Sequence, residues 1–210
     1  MVRWVVDAQI DSLDWTGITY PQIETVAQAT LAMGSCVIEI HVEDFYHALK
    51  HPVDWPPHLS DIVEPTVKRL FEVFEEYDIT ATFYYLGDVA DKAPYLVRET
   101  ILRQHGLGSH GYWHRHGEYQ GDHSDLYARR FIPECNGYRS PFWDTTKRPG
   151  YAGGIFFRLM PVKWIVWQIR KHGVLWLHPH DLEPRYGPWW RRLHYQEPWG
   201  KLRRVLDGIG

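Results

Sequence analysis

The sequence predicts an α/β fold built on a parallel sheet. Two observations predict it. β-rich stretches alternate with amphipathic helical ones along the chain, and each of four candidate strands ends in reactive side chains. A strand–helix–strand order argues for parallel strands joined by right-handed crossovers. Such folds carry their sites at the carboxyl ends of the strands. The 210 residues fit one domain, 1–210, and 44% hydrophobic residues suffice for a core.

The first strand is SCVIEIHV, Ser35–Val42, ending in Glu43-Asp44. DIVEPTVKRLFEVFEEYD follows Ser60. It sets Val63, Val67, Leu70, Phe71 and Phe74 on one helical face, with Ser60 near the helix start. ITATFYYL, Ile79–Leu86, is the second strand. APYLVRETILRQH is a helix with Pro94 in its first turn and Gly106 at its end. GLGSH is a short strand running into the histidines, LYARRFI a short helix, and CNGYRSP a strand ending at Arg139. RPGYAGGIFF reads as a glycine-rich loop on the substrate side, since it lacks both G-x-G-x-x-G and a Walker lysine. RLMPVKWIVWQIRKHG is one amphipathic helix closed by Gly173, VLWLHPHDL (Val174–Leu182) a further strand, and WGKLRRVLDGI the last helix.

Composition narrows the function. A net charge of −3 and no Lys/Arg stripe speak against nucleic acid. Cys36 and Cys135 form neither a disulfide framework nor a cysteine-based zinc site, which suits a reducing compartment. No signal-peptide pattern precedes Asp7, so a cytoplasmic location is expected, and no apolar run is long enough for a membrane span. The 11 tryptophans lean towards carbohydrate, because aromatic rings stack on sugar faces as well as filling cores. With 13 histidines, roughly one i, i+4 pair arises by chance. Of the two pairs present, His110/His114 follows a strand and His47/His51 lies in a loop.

At the four strand ends the motifs resemble the polysaccharide deacetylase family (NodB-homology domain, carbohydrate esterase family 4). SHGYWH is similar to its metal-binding histidine motif, GYRSPFW to its arginine–proline motif, and WLHPHDL to its leucine–histidine motif. GGIFFRLMP and LWLHPHDLEP are similar to a subgroup associated with exopolysaccharides. The likeness covers about residues 35–184 and leaves 1–34 as an N-terminal extension, where YPQIETVAQATLAM reads as an amphipathic helix. The resemblance implies a distorted, incomplete (β/α)7-type barrel. It implies hydrolytic removal of an N-acetyl or O-acetyl group from a polysaccharide or sugar conjugate. It also implies a divalent metal held by Asp44, His110 and His114: zinc, with cobalt, nickel or manganese as alternatives.

The chemistry of the residues agrees. Two imidazoles and a carboxylate leave coordination positions open, and a bound cation can polarise a carbonyl and acidify water. Glu43 is the expected base, His178 the acid for the leaving amine, and Arg139 the group orienting the base. Tyr138, Pro141, Phe142, Trp143 and Leu177 are expected to bind substrate. Leu175 and Leu177 would line the acetyl-methyl pocket, and amides near Tyr138–Phe142 would hold the oxyanion.

Two departures from the family pattern matter. HVEDF has His41 where the related subgroup has aspartate, so His41 is an alternative base or ligand. The stretch from Arg139 to Gly153 is short, and Asp144 and Asp181 both stand open as the aspartate that tunes the histidine. Two other classes remain open. One is a catalytically impaired carbohydrate-binding protein on the same fold. The other is a non-haem Fe(II) oxygenase, which the alternating helices argue against.

Overall fold

The computed structural model describes residues 36–132, 135, 137–148, 150–183 and 197–210. It contains one five-stranded sheet: β1 (Val37–Val42), β2 (Thr82–Tyr85), β3 (Gly106–Ser109), β4 (Gly137–Tyr138) and β5 (Val174–Leu177). Every pairing is parallel, in the order β4-β3-β2-β1-β5. The chain steps outward from β1 to β4 and then returns to lay β5 on the other flank of β1. That reversal opens a crevice at the carboxyl ends of β1 and β5, where open α/β sheets take their ligands. Among the described residues the sheet does not close on itself, and it has five strands rather than the seven of the expected barrel.

The helices follow their apolar faces. α1 (Val63–Glu76) buries the expected Val63, Val67, Leu70, Phe71 and Phe74, which pack with Ile38, Ile40 and Val42 of β1 into the core. Ser60 does not cap it. Ile62 holds the cap position without a side-chain bond.

After β2 the chain turns into α2 (Gly87–Lys92), a short helix that the sequence pattern does not mark, and then α3 (Pro94–Leu102). The short helix of the histidine region is α4 (His123–Ala128), capped by Asp122, whose carboxylate accepts from Asp125 N–H. It starts three residues before the expected LYARRFI.

The glycine-rich stretch is not all loop. Gly154–Leu159 forms α5, and α6 (Val162–His172) follows after a break at Met160-Pro161. Pro161 has no N–H to donate, so the expected single helix splits there. Gly173 adopts φ 73°, a left-handed cap that closes α6. α7 (Pro198–Ile209) packs against α6.

Residues 1–34 and Arg191-Arg192 lie outside the described residues, as does Pro184 at the edge of the resemblance. Both cysteines are free thiols, and burial pushes the Cys36 thiol up to about 11. No helix among the described residues is long and apolar enough to cross a membrane.

Candidate active site

The site begins with the two-residue period of β1. Ile38, Ile40 and Val42 point into the core, so Glu39, His41 and Glu43 project from the opposite face. All three are buried polar residues. Asp44 is out of phase with them. Its Oδ1 accepts from Phe45 N–H (2.8 Å) and from Ser60 Oγ–H (2.8 Å), and its Oδ2 from Ser60 N–H (2.6 Å). The structure therefore places Asp44 as the anchor of the Ser60 loop and groups Glu43, not Asp44, with the histidine pair.

Glu43, His110 and His114 each present a ligand atom, and these atoms lie within 4.8 Å of one another. His114 Nε2 is 2.5 Å and His110 Nε2 3.8 Å from Glu43 Oε2. The 2.5 Å approach is not a directed hydrogen bond, and Glu43 Oε2 is buried with no hydrogen-bond partner. His110 Nδ1 lies 2.8 Å from the Arg139 carbonyl oxygen. A carbonyl can only accept, so Nδ1 carries the proton and the Nε2 lone pair faces Glu43. His114 adopts φ 50°, a left-handed backbone held by its loop. An orphaned carboxylate oxygen beside converging imidazoles is what a cation-binding centre presents. The residues present fit a divalent ion.

His178, at the end of β5, closes the opposite side. Its Nε2 is 3.6 Å from Glu43 Oε1, and its Nδ1–H donates to Asp181 Oδ2 at 2.9 Å. His178 N–H donates to the same oxygen. Burial alone would lower the His178 pKa, but Asp181 and then Glu43 outweigh it and raise it. Asp181 responds in kind. Burial pushes its carboxyl up, His178 pulls harder, and it settles at about 2. Burial likewise pushes Glu43 up, but His114, His178 and His110 hold it well below the usual carboxylate range. Burial keeps His110 far below, and His41 below, the ordinary histidine value, so both are neutral rings.

These groups floor a cavity of about 580 Å³, whose walls include Phe142, Trp143, Trp176 and Arg148. That volume suits a small organic ligand. The family model for polysaccharide deacetylases matches residues 55–148, the stretch that carries the histidine pair and Arg139. Over this stretch, a little under half of the chain, the sequence is similar to the polysaccharide deacetylase family.

Two solved structures, both with TM-scores above 0.5, share the fold. A family 4 carbohydrate esterase from Streptomyces lividans, in complex with acetate, is similar over 84% of this chain and 88% of its own (TM-score 0.54, 15% identity). A Mycobacterium smegmatis protein assigned to the polysaccharide deacetylases is similar over 83% and 84% (TM-score 0.53, 15% identity). A family 4 pseudoenzyme from Bacillus anthracis is matched over 70% of this chain, which spans 55% of that protein's length (TM-score 0.48, 12% identity). No functionally curated protein matches the sequence.

Within this deacetylase fold the remaining expected residues fall into two groups. Phe142 and Trp143 line the cavity, on consecutive left-handed backbone positions (φ 57° and 63°). Two adjacent non-glycine residues there signal local strain held by the surrounding loop. Tyr138 and Pro141 are buried beside the cavity rather than in its lining, and Leu175 and Leu177 belong to the core. The amides of Arg139, Ser140 and Trp143 already donate to Ser109 O, Thr146 Oγ1 and Ser140 O, which removes them as oxyanion donors.

Arg139 does not reach Glu43. It pairs with Glu39: Nε–H donates to Oε2 at 2.9 Å and a terminal N–H donates to Oε1. Glu39 was not expected at all. Burial raises its carboxyl, but His41 and Arg139 prevail and lower it. His41 Nε2 sits 3.8 Å from Glu39 Oε2, too long for a hydrogen bond, and is otherwise unpartnered. The alternation E-I-H-V-E was the signal that would have grouped Glu39, His41 and Glu43.

The second histidine pair has structural roles. His47 Nδ1 accepts from Asp44 N–H and its Nε2–H donates to Asp88 (2.9 Å), while His51 caps a single helical turn at Pro52–Asp54. Asp144 accepts from Gly117 N–H and contacts His116 (3.1 Å), away from His178. Asp181, not Asp144, is therefore the aspartate beside the strand-end histidine.

Proposed function

We propose that the protein is a metal-dependent deacetylase that hydrolyses the acetyl group of an acetylated carbohydrate and releases acetate. The observation that carries this reading is the buried convergence of Glu43, His110 and His114 opposite the His178–Asp181 pair, at the floor of one cavity. Glu43, His110 and His114 would hold the cation, and zinc suits two imidazoles and a carboxylate, with cobalt, nickel or manganese as alternatives. When bound there, the ion supplies Lewis acidity for the acetyl carbonyl and the attacking water.

The chain's own residues supply the proton transfers. His178 donates a proton from Nε2 to the leaving amine nitrogen, and Asp181 fixes its tautomer and stabilises its charged form. Glu43 would be taken up as a ligand of the cation, so the base role falls to His41, a neutral ring with an unpartnered nitrogen at the cavity wall. Glu39, clamped by Arg139, holds the His41 side of the site in place. Trp143, Trp176 and Phe142 offer ring faces to a sugar.

One observation favours a second reading. His41 stands where the related subgroup has aspartate, and without a competent base the same cavity would bind an acetylated glycan and not cleave it. Two measurements on protein purified without chelators or a His-tag decide the matter: metal content, and acetate release from N-acetylated oligosaccharides. One divalent ion per chain with acetate released supports the enzyme. Metal without acetate supports the impaired binder, and no metal after incubation with zinc and cobalt overturns both.

A further inference from the structure

Two guanidinium groups reach the cavity wall, Arg148 and Arg158. Arg158 is committed to the chain. Its Nε–H donates to Asp181 O at 3.2 Å, a terminal N–H donates to Glu183 O at 3.0 Å, and Asp181 Oδ1 lies 4.0 Å away.

Arg148 is held differently. Its guanidinium carbon lies 5.1 Å from the Trp176 ring centre, 5.2 Å from that of Tyr151 and 5.9 Å from that of Phe156. Ring faces position a guanidinium without consuming its N–H donors, because the attraction acts through the ring quadrupole. Among the described residues no carboxylate pairs with Arg148. The one carboxylate in the cavity lining among the described residues, Glu43, faces His110, His114 and His178 instead. The chain as a whole is negative, at −3. The positive end of this cleft is thus a local feature, with the guanidinium donors presented and no carboxylate acceptor for them among the described residues.

Its position relative to the chemistry is defined. The Trp176 indole that holds Arg148 also meets the His178 ring edge-on (5.5 Å) and the Trp143 ring (5.4 Å). Arg148 therefore stands one indole away from the imidazole that faces Glu43, on the same side of the cleft as the aromatic walls. A planar guanidinium binds a carboxylate through two parallel hydrogen bonds, a geometry that a neutral sugar hydroxyl cannot match.

We propose that Arg148 binds a carboxylate carried by the glycan in this cleft, on the acetylated sugar or its immediate neighbour, and so selects acidic over neutral acetylated saccharides. The inference rests on the deacetylase reading for its substrate class.

The test compares two probes of equal length. One is an oligomer of N-acetylglucosamine. The other alternates N-acetylglucosamine with glucuronic acid. Acetate release and calorimetric binding are followed for the wild type, Arg148→Gln and Arg148→Lys, with thermal unfolding as the control for folding. A single charge-assisted bidentate contact corresponds to a preference of about tenfold or more. The expected result is that preference for the acidic probe, carried in KM and weakened by salt. R148Q should bring the two probes within about threefold, and R148K should recover part of the gap. A wild type that treats both probes alike, or an R148Q variant that keeps the preference, overturns the proposal. If neither probe yields acetate but the acidic one binds in an Arg148-dependent way, the anion site stands and the deacetylase reading fails. If neither probe binds or reacts, the anion site falls.

Discussion

His178 Nδ1 lies 2.9 Å from Asp181 Oδ2, and the same oxygen accepts the His178 backbone N–H. One carboxylate therefore fixes both the ring and the peptide of the candidate acid. Asp181 is what raises the His178 pKa against the effect of burial. An acid must be protonated, so turnover should fall as pH rises through that raised value. In Asp181→Asn the charge that favours the imidazolium is gone, and the descending limb of the pH–rate profile should move to lower pH. The drop at neutral pH should be about tenfold or more. An unmoved limb would remove Asp181 from this role.

Glu43 and Asp44 are neighbours with separate tasks, and substitutions should separate them. Glu43→Gln is expected to lose the divalent ion, read by elemental analysis, while keeping the fold. Asp44→Ala is expected to retain the ion and lose the three bonds that anchor Phe45 and Ser60. Its unfolding free energy should drop by about 1–3 kcal/mol, measured by denaturant titration. The reverse pattern would return the ligand role to Asp44.

His41→Ala should bind metal as the wild type does and release acetate at least about a hundredfold more slowly, the range of a lost general base. Unchanged acetate release would exclude His41 as the base.

Glu39 is almost fully buried and Arg139 is its bidentate partner. Arg139→Met strands a buried carboxylate and should destabilise the fold by about 2–3 kcal/mol. The value sits below that of a fully buried pair because the arginine is partly exposed. The Glu39→Met, Arg139→Met double variant should recover most of the loss in a denaturant titration. Equal destabilisation by the single and double variants would mean that packing, not the stranded charge, is responsible.

A Cβ at Gly153 would fall 1.8 Å from the Trp176 carbonyl oxygen and 2.5 Å from its indole. Neither backbone nor a packed ring can yield that distance, so Gly153→Ala should force α5 away from β5. The expected loss is about 3 kcal/mol with a displaced Trp176, visible in near-ultraviolet circular dichroism. A wild-type spectrum would show that the contact is not rigid.

Much of this architecture is written in short-range patterns. The apolar face of α1 and the four strand ends were legible because period and termination are local properties. His110 and His178 were legible because each directly follows a strand, and His114 because it stands four residues after His110. The partners that tune them were harder to see. Glu39 is paired with a residue a hundred positions away, and only folding brings Arg139 to it. Asp44 shows the opposite case, because the resemblance offers it as a ligand while its carboxylate bonds Phe45 and Ser60. The alternation of β1 already set it on the other side from Glu43, but the family's acidic pair drew attention to composition rather than parity. α5 was missed because glycines suggested a loop. The break at Pro161 was local and could have been read from the missing N–H alone.

The placement of β5 beside β1 also has a kinetic consequence. β1 is made early and registers Val37 against Val174, a strand that leaves the ribosome much later. Until then one edge of the central strand has no partner, and such edges are templates for wrong association. Closing so long a loop is slow compared with helix formation, so β5 docking is the natural rate-limiting step of folding. The same step delivers His178 to Glu43. A nascent chain stalled before β5 would already carry Glu43, His110 and His114 but would lack His178.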